Sequence, residues 1–297
     1  MKTLVRMFCA AVPLLFGHSL PANPPGADQG VRGPYLGQRP PGLLAVPFAS
    51  EVLTVVGKNQ HTLSFSADGR ELYFTRNPDR VTLVMRRRED GWGAPERAPF
   101  DGWEAHFSPD GRSLFFGNGD LWVTQRSDAG WSPAEKLPAP INTPDYEYYA
   151  TIAADGTLYF SRLADGQARI LRARRVGGSY DTPEALGPVI NATGAYHPFV
   201  ARDGSYLVFN SRDRADGLGG ADLYVSFREP DGTFGAAVNL GPAVNSKDFD
   251  VSPVVSPDGA YLFFTRLRDG TGVPHWVSSQ VIEAARARAG QGAALRE

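Results

Sequence analysis

Cysteine is nearly absent from this chain, and long apolar runs and a strong excess of one charge are missing as well. The single cysteine among 297 residues, Cys9, lies in an apolar segment at the N-terminus. If that segment is removed, the mature chain has neither a disulfide nor a reactive thiol. No stretch approaches the roughly 18 apolar residues that a transmembrane helix requires. The net charge of −2 predicts no basic face, which excludes nucleic acid as a partner.

Residues 1–22 have the pattern of a secretory signal peptide. Lys2 and Arg6 supply its positive charge. A short apolar run follows at residues 7–16, and residues 20–22 resemble a cleavage site. The alternative is a disordered apolar start. The signal-peptide interpretation predicts a periplasmic or extracellular protein whose mature chain contains no cysteine.

An Asp-Gly pair recurs five times, each time shortly before a strand rich in aromatic residues. The pairs begin at Asp68, Asp110, Asp155, Asp203 and Asp258, with spacings of 42 to 55 residues. Asp-Gly suits tight hairpin turns because both residues tolerate a positive φ. A period of about 40 to 50 residues with hairpin chemistry is typical of the repeated small sheets of a β-propeller. The sequence therefore predicts an all-β fold.

A fourth segment of each repeat allows the blades to be counted. Copies follow the first four repeats, at residues 95–100, 133–142, 183–191 and 236–245. No copy follows the fifth repeat, but a similar segment at residues 47–56 precedes the first. Adding that strand to the last blade closes the ring and removes an unpaired sheet edge. We predict a single β-propeller of five four-stranded blades closed by an N-terminal strand, with six blades as the alternative.

This count divides the chain into four regions. Residues 1–22 form the signal peptide, 23–45 an extended lead-in, 46–280 the propeller and 281–297 a C-terminal tail. The tail is rich in Ala and Arg, which indicates a short helix with a frayed end. We expect a monomer that needs no cofactor.

The repeats resemble those of the WD40-like family often called PD40, which is known from TolB-type propellers. The resemblance rests on FSADG at residues 65–69, FSPDG at 107–111, VSPDG at 255–259 and GGADLYV at 219–225. It covers nearly the whole mature chain, although the extra α/β domain of TolB has no counterpart here. It implies a propeller but no particular function, since relatives include periplasmic binding scaffolds, protease-linked propellers and a pectin-degrading lyase.

Two sets of residues should meet at one mouth of the central channel, where inner strands begin and second strands end. The inner-strand starts carry Gln60-His61, Trp103-Glu104, Glu147-Tyr148, Tyr196-His197 and Asp250-Val251. The second-strand ends carry Arg76, Asn118, Arg162, Arg212 and Arg266. Each Asp-Gly turn lies at the far end of its inner strand, so this mouth is opposite the turns.

Two interpretations of these charges remain open. Arginines and acids could form structural ion pairs between blades, or they could line a polar pocket for a saccharide, a carboxylate-bearing ligand or a peptide terminus. The predicted ligand-binding residues are Arg76, Arg162, Arg212, Arg266, Glu104, Glu147, His197, Trp103, Tyr148 and Tyr196. The aromatic rings among them could stack on the apolar face of a sugar. We favour a non-catalytic scaffold that binds a protein, a saccharide or another small polar ligand.

Catalysis is the alternative function. Glu104, Glu147 and Asp250 lie on three blades and could converge, as the carboxylates of a glycoside hydrolase or a lyase require. No Gly-x-Ser-x-Gly nucleophile elbow and no phosphate-binding loop occurs. His61 and His106 could ligate a metal together with His197, but His106 lies deeper in its strand than His61. We therefore predict no metal site.

Overall fold

The computed structural model describes residues 31–53 and 59–294, so the predicted signal peptide lies outside the described residues. Five antiparallel sheets, each of four or five strands, follow one another along the chain. Each sheet contacts the next, and the fifth contacts the first, which closes them into a ring around a central channel. The five-bladed propeller predicted from the repeat is confirmed, and the six-bladed alternative is wrong.

Each blade contains an inner, a second, a third and an outer strand, named from the channel outward. Blade 1 consists of Asn59–Phe65, Glu71–Asn77, Val81–Arg88 and Glu96–Arg97. Blade 2 consists of Trp103–Phe107, Ser113–Gly117, Leu121–Ser127 and Glu135–Lys136. Blade 3 consists of Tyr146–Ile152, Leu158–Ala164, Gln167–Ala173 and Glu184–Ala185. Blade 4 consists of Ala195–Val200, Tyr206–Ser211, Asp222–Phe227 and Val238–Asn239. Blade 5 consists of Phe249–Val255, Tyr261–Arg268, Thr271–Ser278 and Val46–Pro47.

Within the described residues, several short strands and four helices lie outside the four strands of each blade. Two-residue strands lie at Gly91–Trp92, Gly130–Trp131, Arg175–Val176 and Ser179–Tyr180. The helices are the 3-10 turn Tyr35–Gly37 and the α-helices Ser50–Leu53, Pro188–Asn191 and Gln280–Ala294. None of the helices in the described part of the chain has the length and apolar character needed to span a membrane.

The Asp-Gly turns join inner and second strands through a repeated side-chain pattern. In blade 1, Ser66 Oγ accepts the N–H of Glu71 at 2.9 Å and donates to Asp68 Oδ1 at 2.6 Å. Ser108 and Ser256 make the same pair of contacts in blades 2 and 5. The serine therefore satisfies a strand N–H and orients the turn aspartate, which explains why Ser and Asp-Gly recur together.

The second strands are apolar on both faces because each is enclosed by two neighbouring blades. Leu72, Tyr73 and Phe74 are all fully buried. Successive side chains of a strand point to opposite faces. Leu72 and Phe74 therefore pack with Phe263 of blade 5, whereas Tyr73 packs with Phe116 of blade 2.

The N-terminal strand closes the ring, as predicted. Val46–Pro47 pairs antiparallel with the third strand of blade 5. Phe48 follows it and is fully buried, with its ring centroid 4.9 Å from Phe263 of blade 5 and 6.3 Å from Phe65 of blade 1. The closing contact is thus a short strand followed by one aromatic side chain that joins the first and last blades.

An asparagine that recurs in the loops between blades stabilises these loops by hydrogen bonds to the backbone. Asn142 accepts the N–H of Leu121 at 2.8 Å and donates to the carbonyl oxygens of Leu121 and Leu137. Asn191 and Asn245 make equivalent contacts in blades 3 and 4. These bonds position the loops that lead into the inner strands, and so they help to place the channel residues.

Candidate functional site

Every inner strand contains the same irregularity beside the channel. Its pairing with the second strand shifts register at one point in all five blades, which is the pattern of a β-bulge. One residue of each bulge has a positive φ, between 52° and 57°, and these residues are Thr62, Glu104, Tyr149, His197 and Ser252. Such angles are uncommon for residues other than glycine and are strained, so the surroundings must hold them.

The second strand of the preceding blade holds the bulge in three of these cases. The hydrogen bonds run from Glu104 N to Thr75 Oγ1 at 2.9 Å, from His197 N to Ser161 Oγ at 2.9 Å, and from Ser252 N to Asn210 Oδ1 at 3.3 Å. These bonds cross from one blade to the next. The same contacts therefore stabilise the ring and fix the residues that line the channel.

The bulges show that the three predicted acids do not share one position. Glu147 and Asp250 lie two residues before their bulges, whereas Glu104 is itself a bulge residue. Gly102 occupies the earlier position in blade 2, where a Cβ would lie 2.3 Å from the Phe116 ring. A carboxylate side chain is therefore sterically excluded from that position in blade 2.

Two of the predicted arginines pair with the other two acids inside the blades. The pairs are Arg162 with Glu147, 2.8 Å apart, and Arg266 with Asp250, 2.7 Å apart. Both carboxyl groups are fully buried, and each also accepts bonds from the preceding loop, through Thr143 or Ser246. Burial outweighs these partners and raises the pKa of both acids. Each pair joins opposed residues of one hairpin, so these ion pairs lie within blades and not between them.

Arg212 does not belong to this set, although the sequence placed it there. Ser211 is the residue that opposes the strand start in blade 4, one position earlier. Arg212 instead donates from Nε to the Tyr196 hydroxyl at 3.1 Å. Its guanidinium also lies over the rings of Tyr196 and Phe249, at 5.5 and 5.3 Å. Arg212 is therefore a residue of the channel rim.

Glu104 and His197 meet across the channel. Glu104 Oε1 and His197 Nε2 are 3.5 Å apart, and the residues belong to blades 2 and 4, which are not adjacent. Burial raises the pKa of Glu104 to about 8 and lowers that of His197 well below its usual value. Both groups are thus neutral at neutral pH. Ser252 Oγ lies 3.2 Å from His197 Nδ1 and completes a polar cluster from three blades.

Aromatic side chains surround this cluster, and we call them the aromatic mouth. They are Trp103, Tyr146, Tyr148, Tyr196 and Phe249, all partly exposed. The Tyr146 and Tyr148 rings stack at 5.2 Å, and the Tyr196 ring lies 4.7 Å from that of His197. Arg80 covers Trp103 at 5.1 Å, as Arg212 covers Tyr196. Flat apolar faces therefore frame a neutral polar floor.

Tyr149 crosses the channel below the aromatic mouth. Its hydroxyl donates to the carbonyl oxygen of Pro253 at 2.8 Å, from blade 3 to blade 5. Its ring lies between two histidines, 4.5 Å from His197 and 4.4 Å from His106. Tyr149 is fully buried, which raises its pKa well above the usual value. It separates the part of the channel that holds Glu104 from the part that holds His106.

Several buried polar atoms around the channel have no hydrogen-bond partner among the described residues. They include the Gln60 amide, Arg76 Nε, Glu104 Oε2, His106 Nε2, Asn210 Nδ2 and Thr265 Oγ1. Unsatisfied buried polar groups are rare and costly in native proteins. Polar partners from outside the chain would therefore be favourable at those of these atoms that face the channel.

The structure thus divides the ten predicted ligand-binding residues into two groups. Those at or beside the channel mouth are Glu104, His197, Tyr148, Tyr196, Trp103 and Arg212. The other four are held within blades. Glu147, Arg162 and Arg266 take part in ion pairs, and Arg76 lies opposite Gln60 in the hairpin of blade 1. Ser252, Tyr149 and Arg80 also belong to the site, although they were not among the residues predicted from the sequence. Ser252 had a usable signal, because Ser252-Pro253 in blade 5 corresponds to His197-Pro198 in blade 4.

The three histidines considered as metal ligands lie at three levels of the channel. His61 precedes a bulge, His197 is a bulge residue, and His106 follows its bulge by two residues. Within residues 31–53 and 59–294, no group of three or more His, Cys, Asp or Glu side chains is placed to hold a metal ion. Burial lowers the pKa of His61 to about 4 and that of His106 to about 3, so both are neutral.

The chain matches no family model and no curated protein sequence. Among solved structures it is similar to an endo-arabinase from Bacteroides thetaiotaomicron VPI-5482, at 16% identity over 79% of this chain and 96% of that one, with a TM-score of 0.55. It is also similar to a putative TolB from Agrobacterium tumefaciens, at 18% identity over 72% and 71%, with a TM-score of 0.49.

TolB from Acinetobacter baumannii is similar at 16% identity over 75% of this chain, with a TM-score of 0.49, and this chain spans 52% of its length. At such identities the likeness shows the fold alone. The fold and the site together define a five-bladed β-propeller with a polar channel and an aromatic mouth.

Proposed function

We propose that this protein is a non-catalytic binding propeller that holds a saccharide, or another small uncharged polar ligand, at the aromatic mouth. The observation that carries the proposal is the contact of Glu104 with His197 inside a frame of partly exposed rings. A neutral carboxylic acid can both donate and accept a hydrogen bond, and so can a neutral imidazole. Glu104 Oε2 is buried and has no partner among the described residues, so a hydrogen bond from a ligand hydroxyl would satisfy it.

The rings favour a ligand with flat apolar faces. Trp103 and Tyr196 are partly exposed, and each is covered by an arginine on one side. Such amphipathic rings can stack on sugar faces while their polar atoms stay in water. The combination of rings with neutral donors and acceptors fits a polyhydroxylated ligand better than a charged one.

The alternative is a carbohydrate-active enzyme that uses Glu104, Glu147 and Asp250. Hydrolysis with retention or inversion needs two carboxyl groups roughly 5 to 10 Å apart across the substrate. Glu147 and Asp250 are fully buried and are bound by arginine and by loop donors. Of these three acids, Glu104 alone has an oxygen without a partner among the described residues, which supports binding over catalysis.

Secretion and family membership are part of the same proposal. We propose that residues 1–22 direct export to the periplasm or the exterior, and that the repeats belong to the PD40 group. We also propose that the protein is a monomer. A mature N-terminus near residue 23, determined by mass spectrometry of the exported protein, would support the export step.

Isothermal titration against a panel of neutral oligosaccharides tests the binding proposal. The channel variant is Trp103→Ala, and its matched control is Trp131→Ala. Trp131 lies under Arg126 at 5.1 Å, the same distance as Trp103 from Arg80, but on the third-strand side of blade 2. We expect Trp103→Ala to weaken binding about tenfold or more, which is about 1.4 kcal/mol, and Trp131→Ala to leave it unchanged.

Two results would contradict the proposal. One is that no neutral oligosaccharide or other small polar ligand binds the wild-type chain. The other is equal weakening by both tryptophan variants, which would indicate a general loss of structure. Release of reducing sugar by the wild-type chain, abolished by Glu104→Gln, would support the enzyme instead.

A further inference from the structure

The opposite mouth of the channel contains a large cavity. It has a volume of about 710 Å³ and lies where the inner strands end at the Asp-Gly turns. All five blades contribute to it, and one apolar residue from each is Phe65, Phe107, Ile152, Phe199 and Val254. The C-terminal helix forms part of its rim. We call this cavity the Asp-Gly funnel, and its volume lies within the range of about 300 to 1,000 Å³ that small-molecule sites occupy.

The inner end of the funnel is polar but uncharged. His106 lines it, is 3% exposed, and has no hydrogen-bond partner at Nε2 among the described residues. Burial holds this imidazole neutral. The nearby hydroxyl of Thr151 is already engaged, because it donates to the carbonyl oxygen of Pro198 at 2.8 Å. Ser64 also lines the funnel, and its hydroxyl accepts the N–H of Phe107 at 3.4 Å. His106 is therefore the lining side chain with a buried polar atom that has no partner among the described residues.

Charged side chains occur only at the rim of the funnel. They are Arg202, Asp203, Glu283 and Arg286, and all four are exposed. Glu283 and Arg286 pair with each other at 3.2 Å. The rim carries both signs, so it selects neither cations nor anions, and an ion would find no opposite charge inside the funnel.

We infer that the Asp-Gly funnel is a second binding site, for an uncharged molecule with an apolar body and one hydrogen-bonding group at its inner end. The apolar residues of the five blades contact the body, and His106 binds the inner polar group. Burying an unpartnered charge beside neutral His106 would be costly, which excludes carboxylates and amines of similar shape. Tyr149 separates this site from Glu104, so the inference goes beyond the function proposed for the aromatic mouth.

Fluorescence titration with the uncharged apolar dye N-phenyl-1-naphthylamine tests the site. Decanamide, decanoate and decylammonium then compete with the dye at neutral pH. We expect decanamide to displace the dye at a concentration at least tenfold lower than either ion does. Equal displacement by decanoate, or no dye binding, would overturn the inference.

Tryptophan substitutions at two alanines in exposed loops test the location of the site. Ala154 lies in an Asp-Gly turn at the funnel mouth, and Ala129 lies in an exposed loop of blade 2 away from it. We expect Ala154→Trp to reduce dye affinity at least fivefold and Ala129→Trp to leave it unchanged. Equal affinity for both variants would place the dye elsewhere and contradict the inference.

The polar contact is tested by His106→Phe, with His106→Gln as the conservative variant. Phenylalanine keeps a ring against Tyr149 but removes the hydrogen bond. We expect His106→Phe to retain the dye and to lose about tenfold in decanamide affinity, and His106→Gln to recover most of the loss. Unchanged decanamide affinity in a folded His106→Phe protein would contradict the role of His106. Trp103→Ala serves as a control that should not change any of these values.

Discussion

Glu104 combines a strained backbone with a buried carboxyl group that lacks a full set of partners. Its positive φ is held by a hydrogen bond from its N–H to Thr75, and its Oε1 faces His197. Arg80 favours the charged form of the carboxyl, but burial outweighs that effect. Strain and a shifted pKa at one residue are typical of functional sites, which is why we place the ligand there.

The raised pKa of Glu104 predicts a pH dependence of stability. Between the ordinary pKa of 4.5 and the folded value of about 8, the folded chain retains a proton that the unfolded chain loses. Stability therefore falls as pH rises through this interval. His197, Arg80 and the tyrosines at 146, 148 and 149 are the charged or titratable groups around this carboxyl.

The side chain at position 104 does not titrate in the variant Glu104→Gln. Relative to it, we expect wild-type stability to fall by at least about 1.4 kcal/mol between pH 4.5 and pH 9, the value of one pKa unit. Urea unfolding at several pH values measures the difference, with exposed Glu135→Gln as a control that should show no such trend. Parallel pH profiles for Glu104→Gln and the wild type would show that Glu104 titrates normally.

Arg162 and Arg212 occupy similar places in the sequence repeats but contact different groups. Arg162→Ala leaves the buried carboxyl of Glu147 without its charged partner, which typically costs about 3 to 5 kcal/mol. Arg212→Ala removes one hydrogen bond to Tyr196 and the contacts of the guanidinium with the rings of Tyr196 and Phe249, which together cost about 1.5 kcal/mol. We expect denaturant unfolding to show a loss at least twice as large for Arg162→Ala. Similar losses for the two variants would contradict these assignments.

The ring is closed by the segment that contains the strand Val46–Pro47 and Phe48. Its strand has only the two residues Val46–Pro47, so backbone pairing alone provides few hydrogen bonds. Phe48 adds a buried ring between Phe263 and Phe65. Packing of one side chain, more than strand length, therefore joins the ends of the propeller.

Phe48→Ala should destabilise the protein strongly. Removal of a fully buried phenylalanine typically costs about 3 to 5 kcal/mol. Leu44→Ala in the same segment is the control, because Leu44 is 69% exposed and should change stability by less than about 0.5 kcal/mol. Thermal unfolding of both variants measures this. A small effect of Phe48→Ala would show that closure depends on other contacts.

The strands and turns of the blades were predictable from the sequence, because the residue patterns that indicate them lie within short stretches of the chain. Asp-Gly turns and apolar second strands depend on neighbouring residues, so the blade count followed from them. The register of the bulges was not predictable in this way. Glu104 and Glu147 look equivalent in the sequence, and only the space taken by Phe116 beside Gly102 shows that they differ. Contacts across the channel, such as Tyr149 with Pro253, join residues about a hundred positions apart.

At the scale of the whole molecule, the channel contains several histidines that are held neutral. Burial lowers the pKa of His61 to about 4, of His106 to about 3, and of His197 well below its usual value. As pH falls below 6.5, these histidines bind protons in the unfolded chain but stay neutral in the folded chain. Stability is therefore lost progressively from pH 6.5 down to the folded pKa values.

This predicts an acid-sensitive propeller. We expect the urea midpoint to fall steadily between pH 6.5 and pH 4.5, because three histidines outweigh the opposing contribution of Glu104. His106→Gln should flatten part of this slope, because it removes one of the three imidazoles whose pKa is lowered by burial. A midpoint that stays constant over this interval would show that the channel histidines are solvated and titrate normally.

The two mouths of the propeller differ in chemistry, and we assign the principal ligand to the aromatic mouth. A crystal structure of the protein with its best-binding oligosaccharide tests this assignment most directly. We predict one sugar ring stacked on Trp103 or Tyr196, with a hydroxyl within hydrogen-bond distance of Glu104 and the glycosidic bonds intact. Sugar density confined to the Asp-Gly funnel or to the outer surface, or a cleaved glycosidic bond beside Glu104, would contradict it.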